Sequence, residues 1–275
     1  MHFWRYTRQE YGWIDGTMQP LRRDFLPPDA AVLMHEAGID ACVAVQARQT
    51  LDETRFLLDL AAQYPFIAGV VGWVDLRAAD LDDQLSEFTS YRKLVGVRHI
   101  VQAEPDDFLR REDFRRGVAK LERYGFAYDI LIYARQLPGA IDFAAALPVQ
   151  RLVLDHLGKP DIRGNGFDSW RRDLDRLARL PHVRAKLSGL VTEADWQGWT
   201  VEDIHRYVNA ALDSFGTERL MIGSDWPVCT MAATYSQVIG VVRSAIADRT
   251  ESERAAILGG TARTFWNLSL VERNV

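Results

Sequence analysis

The sequence predicts an α/β protein built on a parallel sheet, with the length and rhythm of an α/β barrel. Three observations carry this. The chain has 275 residues, close to the roughly 250 of a typical barrel. Seven short apolar, β-branched runs recur along it: ACVAVQ (41–46), FIAGVVGWV (66–74), LVGVRHI (94–100), FAYDILIY (126–133), RLVLDH (151–156), VRAKLSG (183–189) and RLMIGSD (219–225). Helix-period segments lie between them. Near-continuous apolarity suits strands buried on both faces, as in a parallel sheet. Strand–helix alternation points to βαβ units. A closed barrel of this kind has eight strands, one more than the runs supply.

The intervals follow in order. In TRFLLDLAAQY, Phe56, Leu57, Leu60, Ala61 and Tyr64 form one apolar stripe, the mark of a helix lying on a core. Leu81, Leu85 and Phe88 do the same in DLDDQLSEF. Late in the chain, Thr250 and Glu253 have capping-box spacing and open a helix over TESERAAIL. No low-complexity segment or linker interrupts the pattern, so residues 1–275 read as one domain.

Composition narrows the function. Hydrophobic residues make up 48% and charged residues 26%, an ordinary globular balance. The net charge is −5 with the signs interspersed, and no basic stripe offers itself to nucleic acid. No apolar stretch approaches the roughly 18 residues of a membrane span, and no signal peptide is visible. Cys42 and Cys229 lie far apart in apolar settings. That argues against a disulfide framework and for a reducing, cytoplasmic setting.

The polar residues gather where the runs end. The first run ends in Gln46, with Arg48 beyond. The second ends in Trp73 and Asp75, and the third in Arg98 and His99, with Gln102 close by. The fifth ends in His156, then Lys159; the sixth carries Lys186 and Ser188; the seventh ends in Asp225 and Trp226. Only the fourth differs, with Asp129 in mid-run and Tyr133 at its close. In a parallel barrel all these ends lie on one face, which carries the active site. Asp225 is a candidate metal ligand or general base, against the plain reading of a helix N-cap. His156 can ligate metal or bond a carbonyl oxygen. His99 is a candidate beside Arg98, which could equally be an outward ion pair. Lys186 and Asp129, inside apolar strands, must each find a partner. His35, His182 and His205 fall on helices or loops and receive no role. Trp4, Trp73 and Trp226 suit either a ring-stacking pocket or core packing.

Several of these motifs look familiar together. His2-Phe3-Trp4, the stretch Val153–Pro160 (VLDHLGKP), Lys186–Leu190 (KLSGL) and Gly223–Pro227 (GSDWP) resemble the amidohydrolase superfamily. More narrowly they resemble its amidohydrolase 2 branch of sugar lactonases, which includes L-fuconolactonases and L-rhamnonolactonases. The likeness covers nearly the whole chain. It implies a (β/α)8 barrel. It implies Asp225, after the eighth strand, as the base that activates water, with His2, His156 and His99 donating to the carbonyl oxygen. Gln46, Arg48, Trp73, Asp75, Gln102, Lys186 and Trp226 would hold the substrate, a small sugar lactone. Zinc or another divalent ion is allowed but not required, with His2, His156 and Asp225 as its candidate ligands. A homo-oligomer is also allowed. Two rival readings stand beside this one: a zinc-dependent decarboxylase of an aromatic or muconate-type acid, and a catalytically defective sugar-acid binding protein.

The resemblance also bears on the opening residues. The family's first strand ends in His-x-His-Phe-Trp. Here His2 takes the second histidine's place and Met1 the x position, so the first histidine and the strand before it are missing. This accounts for seven runs rather than eight. It predicts a natural start upstream of Met1, or else a barrel with a costly exposed edge and a metal site short of a ligand.

Overall fold

All seven apolar runs are strands. The structure, a computed structural model, describes residues 1–269; the last six residues of the single-domain expectation lie outside them. The strands are β1 (Cys42–Val45), β2 (Ile67–Gly72), β3 (Leu94–Ile100), β4 (Ala127–Leu131), β5 (Leu152–Leu154), β6 (Val183–Leu187) and β7 (Leu220–Ile222). They form one sheet in the order of the chain. Every neighbouring pair is parallel. Sequential order with a crossover after each strand curls the sheet toward a barrel.

Helices fill the crossovers: α1 (Pro27–Glu36), α2 (Leu51–Gln63), α3 (Leu81–Phe88), α4 (Glu112–Lys120), α5 (Leu137–Ala145), α6 (Phe167–Ala178), α7 (Leu190–Glu193), α8 (Val201–Phe215), α9 (Tyr235–Ala245), α10 (Glu251–Ala255) and α11 (Thr261–Phe265). The starts are chemically marked. Thr50 Oγ1 accepts the Glu53 N–H before α2, and Thr250 and Glu253 form the expected capping box before α10. Each such cap satisfies amides that a helix start leaves orphaned. The α2 stripe packs as its period requires: Leu57, Leu60 and Ala61 are buried. Helix α4 approaches very closely at Gly117, where an added Cβ would lie 1.8 Å from the Leu76 carbonyl oxygen.

Two apolar layers result. The larger lies between sheet and helices. The smaller unites Val45, Val71, Val95, Ala127, Val153 and Met221 of the strands with Phe265 and Trp266 from the end of α11.

The expected eighth strand is not found among the described residues. Instead Met1 and His2 reach across the seam between β1 and β7. The Met1 amino group donates to Val43 O at 3.1 Å. Val45 N–H donates to Met1 O at 2.8 Å, and His2 N–H donates to Trp226 O at 2.7 Å. These bonds pair the chain start with β1 on one side and with the segment after β7 on the other. Alongside Met1 the seam opens into a cavity of about 400 Å³, lined among others by Val43, Ala68, Lys186, Met221, Tyr235 and Trp266.

Candidate active site

The chain start and the ends of β5 and β7 bring His2, His156 and Asp225 together. Burial is nearly complete for each. Asp225 Oδ1 stands 3.2 Å from His2 Nε2 and 3.6 Å from His156 Nε2. The opposite ring nitrogens are anchored. His2 Nδ1 lies 2.8 Å from Val45 O, and His156 Nδ1 lies 2.9 Å from Ser188 Oγ.

The local backbone is unusual here. Asp225 has φ 54°, and His156, Leu157, Gly158 and Lys159 are all left-handed in succession. Left-handed backbone at non-glycine residues is disfavoured and clusters at functional sites. The turn is supported: Trp170 Nε1–H, buried, donates to Leu157 O at 2.7 Å. Gly189, itself at φ 64°, leaves room for the ring, since a Cβ there would lie 2.6 Å from His156 Nδ1.

The electrostatics follow from burial and contact. Burial pushes the Asp225 carboxyl up, but the neighbouring His156 and His2 outweigh it and hold the group well below the usual carboxylate range. Burial drives His156 the other way, down to about 4 despite Asp225 and Asp155. His2 is lowered too, by burial first, against its contact with Asp225. At neutral pH the cluster is a carboxylate flanked by neutral imidazoles.

The tautomers can be reasoned. A carbonyl oxygen only accepts, so His2 Nδ1 carries the proton and its Nε2 is bare when the ring is neutral. Asp225 Oδ1 and His2 Nε2 are then two acceptors facing each other. Ser188 Oγ can donate to His156 Nδ1, which leaves His156 with an Nε2–H to give.

Beneath this cluster lies a chain of four buried charges. Arg98 donates to Asp155 Oδ2 at 2.8 Å. Lys186 Nζ stands 2.6 Å from Asp155 Oδ1 and 2.5 Å from Asp129 Oδ2. Burial raises Asp129, to about 6, against the pull of Lys186. Asp155 is held low by Lys186 and Arg98 despite its burial, and its two carboxylate partners keep Lys186 charged. Lys186, expected among the substrate donors, is paired with Asp129 and Asp155 in this floor. Gln46 belongs to the same floor, with Nε2–H donating to Arg98 O at 3.0 Å.

His99 lies apart from this cluster. In β3 the inward residue is Arg98, so His99 points to the helix layer. Its ring stacks on Phe108 at 5.2 Å, and Nε2 lies 2.9 Å from Glu104 Oε1. Trp226 is packed edge-on against Phe25 and Phe3 and is core, not a stacking platform. Asp75 closes the turn after β2, accepting the Arg77 N–H. Arg48 is tied to Glu53 at 2.8 Å and also to Glu10. Trp73 Nε1 and Gln102 Oε1 are buried without a hydrogen-bond partner among the described residues. Residue-type reasoning left Asp155 and Glu193 without a role. A carboxylate directly before His156 was the available signal for the first.

Comparison with known proteins decides the family. Residues 1–268 match the amidohydrolase family. The chain belongs to it. An L-fucono-1,5-lactonase of Burkholderia multivorans is 48% identical, covering 97% of this chain and 94% of its own. An L-fucono-1,5-lactonase of Burkholderia ambifaria is 33% identical, over 97% and 93%. The crystal structure of a Burkholderia multivorans amidohydrolase with bound zinc superposes with a TM-score of 0.95 at 46% identity, covering 98% of this chain and 97% of that one.

Zinc takes imidazole and carboxylate ligands of the kind gathered here. Yet among the described residues no group of three or more His, Cys, Asp or Glu side chains is disposed to hold a metal ion. Asp225 Oδ1 lies against both imidazole nitrogens instead of sharing a vacant centre with them. The residues as arranged do not fit the ion, and no step below passes through it.

Proposed function

We propose that this amidohydrolase opens a sugar-acid lactone, an aldonolactone of the L-fucono-1,5-lactone class, by water that Asp225 activates. The observation that carries the reading is the convergence of His2 and His156 on one ionised, buried carboxylate. The lactonase relatives at 48% and 33% identity support it. The reading carries with it an eight-stranded barrel in which Met1 and His2 stand where the first strand would end.

The chemistry divides among the three residues. Asp225 Oδ1, with His2 Nε2 beside it as a second acceptor, would hold the attacking water by one hydrogen and leave an oxygen lone pair facing the substrate. This reverses the expected role of His2 as a donor, because Val45 O claims its proton. Asp225 takes the proton as the water oxygen bonds to the lactone carbonyl carbon. His156 Nε2–H donates to the carbonyl oxygen as it becomes an oxyanion. Collapse breaks the bond to the ring oxygen, which receives the proton from Asp225. Ring opening thus needs no net proton from the protein. Trp73 Nε1–H and Gln102 Oε1 are available to sugar hydroxyls.

The test is proton release from a panel of aldonolactones, with L-fucono-1,5-lactone and L-rhamnonolactone among them. Turnover by the native chain is expected, with kcat at least about 100-fold lower in Asp225→Asn. A folded Asp225→Asn protein with native turnover would remove Asp225 from the role.

A further inference from the structure

Lys159 and Glu193 stand beside the Asp225 cluster and have no part in the steps above. Lys159 Nζ lies 3.3 Å from Glu193 Oε1, with the side chains 15% and 18% exposed. Three loops build the pair. Lys159 ends the left-handed turn after β5, and Glu193 closes α7 after β6. Tyr133, after β4, puts its ring 5.5 Å from Lys159 Nζ.

The pair borders the reacting centre. The charge of Lys159 reaches Asp225 and helps hold it ionised, and the charge of Asp225 reaches Glu193. The pair is also loosely made. An ammonium has three donors, and among the described residues Glu193 is the one carboxylate that Lys159 meets. A bond closed only for stability would not need three non-glycine residues held left-handed to deliver its lysine.

A donor and an acceptor side by side, at the edge of a site that opens a polyhydroxylated ring, match the two faces of a neighbouring pair of hydroxyls. One hydroxyl oxygen accepts from the ammonium while the next hydroxyl donates to the carboxylate. We propose that Lys159 and Glu193 form a clamp for two adjacent hydroxyl groups of the lactone, and so determine the preference for sugar lactones over bare ones. This rests on the lactonase reading.

The experiment compares kcat/KM for L-fucono-1,5-lactone with that for δ-valerolactone, which has the ring and ester but no hydroxyls. The native chain, Lys159→Met and Glu193→Gln are measured together, with Lys159→Arg as the conservative variant. Thermal melts confirm folding. The ratio of the two kcat/KM values is expected to fall about 10- to 100-fold in Lys159→Met, the loss typical of hydrogen bonds to a charged group. The loss should sit in KM, should be smaller in Glu193→Gln, and should be partly restored in Lys159→Arg. Equal losses on both lactones, or none on either, in the folded variants would overturn the clamp. If Lys159→Met does not fold, the ratio in Glu193→Gln decides. A native chain that turns over no aldonolactone would sink the lactonase reading itself, and the clamp with it.

Discussion

At His156 the backbone and the charge state answer to the same demand. The left-handed turn aims Nε2 at Asp225, and burial keeps the ring neutral so that it can donate without first losing a proton to solvent. That neutrality costs stability in acid. The ring titrates at about 4 in the fold and near 6.5 in the unfolded chain. Between those values the unfolded chain binds the extra proton, so stability is full above about pH 6.5 and falls toward pH 4, by about 3 kcal/mol in total. Asp225 acts in a separate window. Its depressed pKa contributes stability above the ordinary carboxylate range and loses it only below about pH 4. Urea unfolding measured from pH 7 to pH 4 should therefore weaken in the native chain and weaken much less in His156→Asn. Asparagine tolerates the left-handed backbone, so the variant isolates the ring. A pH dependence identical in both proteins would place the titration elsewhere.

At the scale of elements, the strand ends act through what lies under and beside them. Gly189 follows β6, and its missing side chain is what lets His156 lie against Ser188. In Gly189→Ala the new methyl would meet the ring at 2.6 Å from Nδ1 in a backbone region that costs an L-residue roughly 1–2 kcal/mol. Steady-state kinetics should show kcat down by about 100-fold, the scale expected of a 1 Å displacement; unchanged kcat would mean that the ring's placement is not limiting. The Arg98–Asp155–Lys186–Asp129 chain makes a different prediction. Lys186→Met strands two buried carboxylates, which should cost about 3–5 kcal/mol by urea unfolding. Adding Asp129→Asn should recover part of it. These elements also show what a sequence can disclose. Each of the seven runs is a strand because apolarity on both faces leaves few alternatives. Those runs are mostly apolar, however, so they carry no regular alternation to say which side chains point inward. The step from Arg98 to His99 is one residue and half a turn of side-chain direction, and the run alone does not say which of the two faces inward. His156 and Asp225 stand after their strands, where turns rather than pleats set direction, so their shared end of the sheet follows from position alone. The pairing of Lys186 with Asp129 depends on strands 57 residues apart in the chain, which no local pattern encodes.

Across the whole molecule the sheet is unequal. β4 lies in the middle of the order, flanked on both sides by parallel ladders, and every residue of it is buried. The outer strands β1 and β7 each have one neighbouring strand. At their free sides, among the described residues, Met1 and His2 bridge the seam by backbone hydrogen bonds, beside a cavity of about 400 Å³. The active site sits across that seam, because His2 and Asp225 come from its two sides. Local opening needs few contacts broken where a strand lacks a second neighbour. Native-state hydrogen exchange should then divide the sheet. Amides of Ala127–Leu131 should exchange only with global unfolding. Those of Cys42–Val45 and Leu220–Ile222 should exchange through cheaper local openings, at free energies clearly below the global value. A ligand that bridges the seam through His2 and Asp225 should slow the outer strands selectively and leave β4 set by global stability. Uniform protection across β1, β4 and β7 would show instead that Met1 and His2 close the sheet as firmly as a full strand.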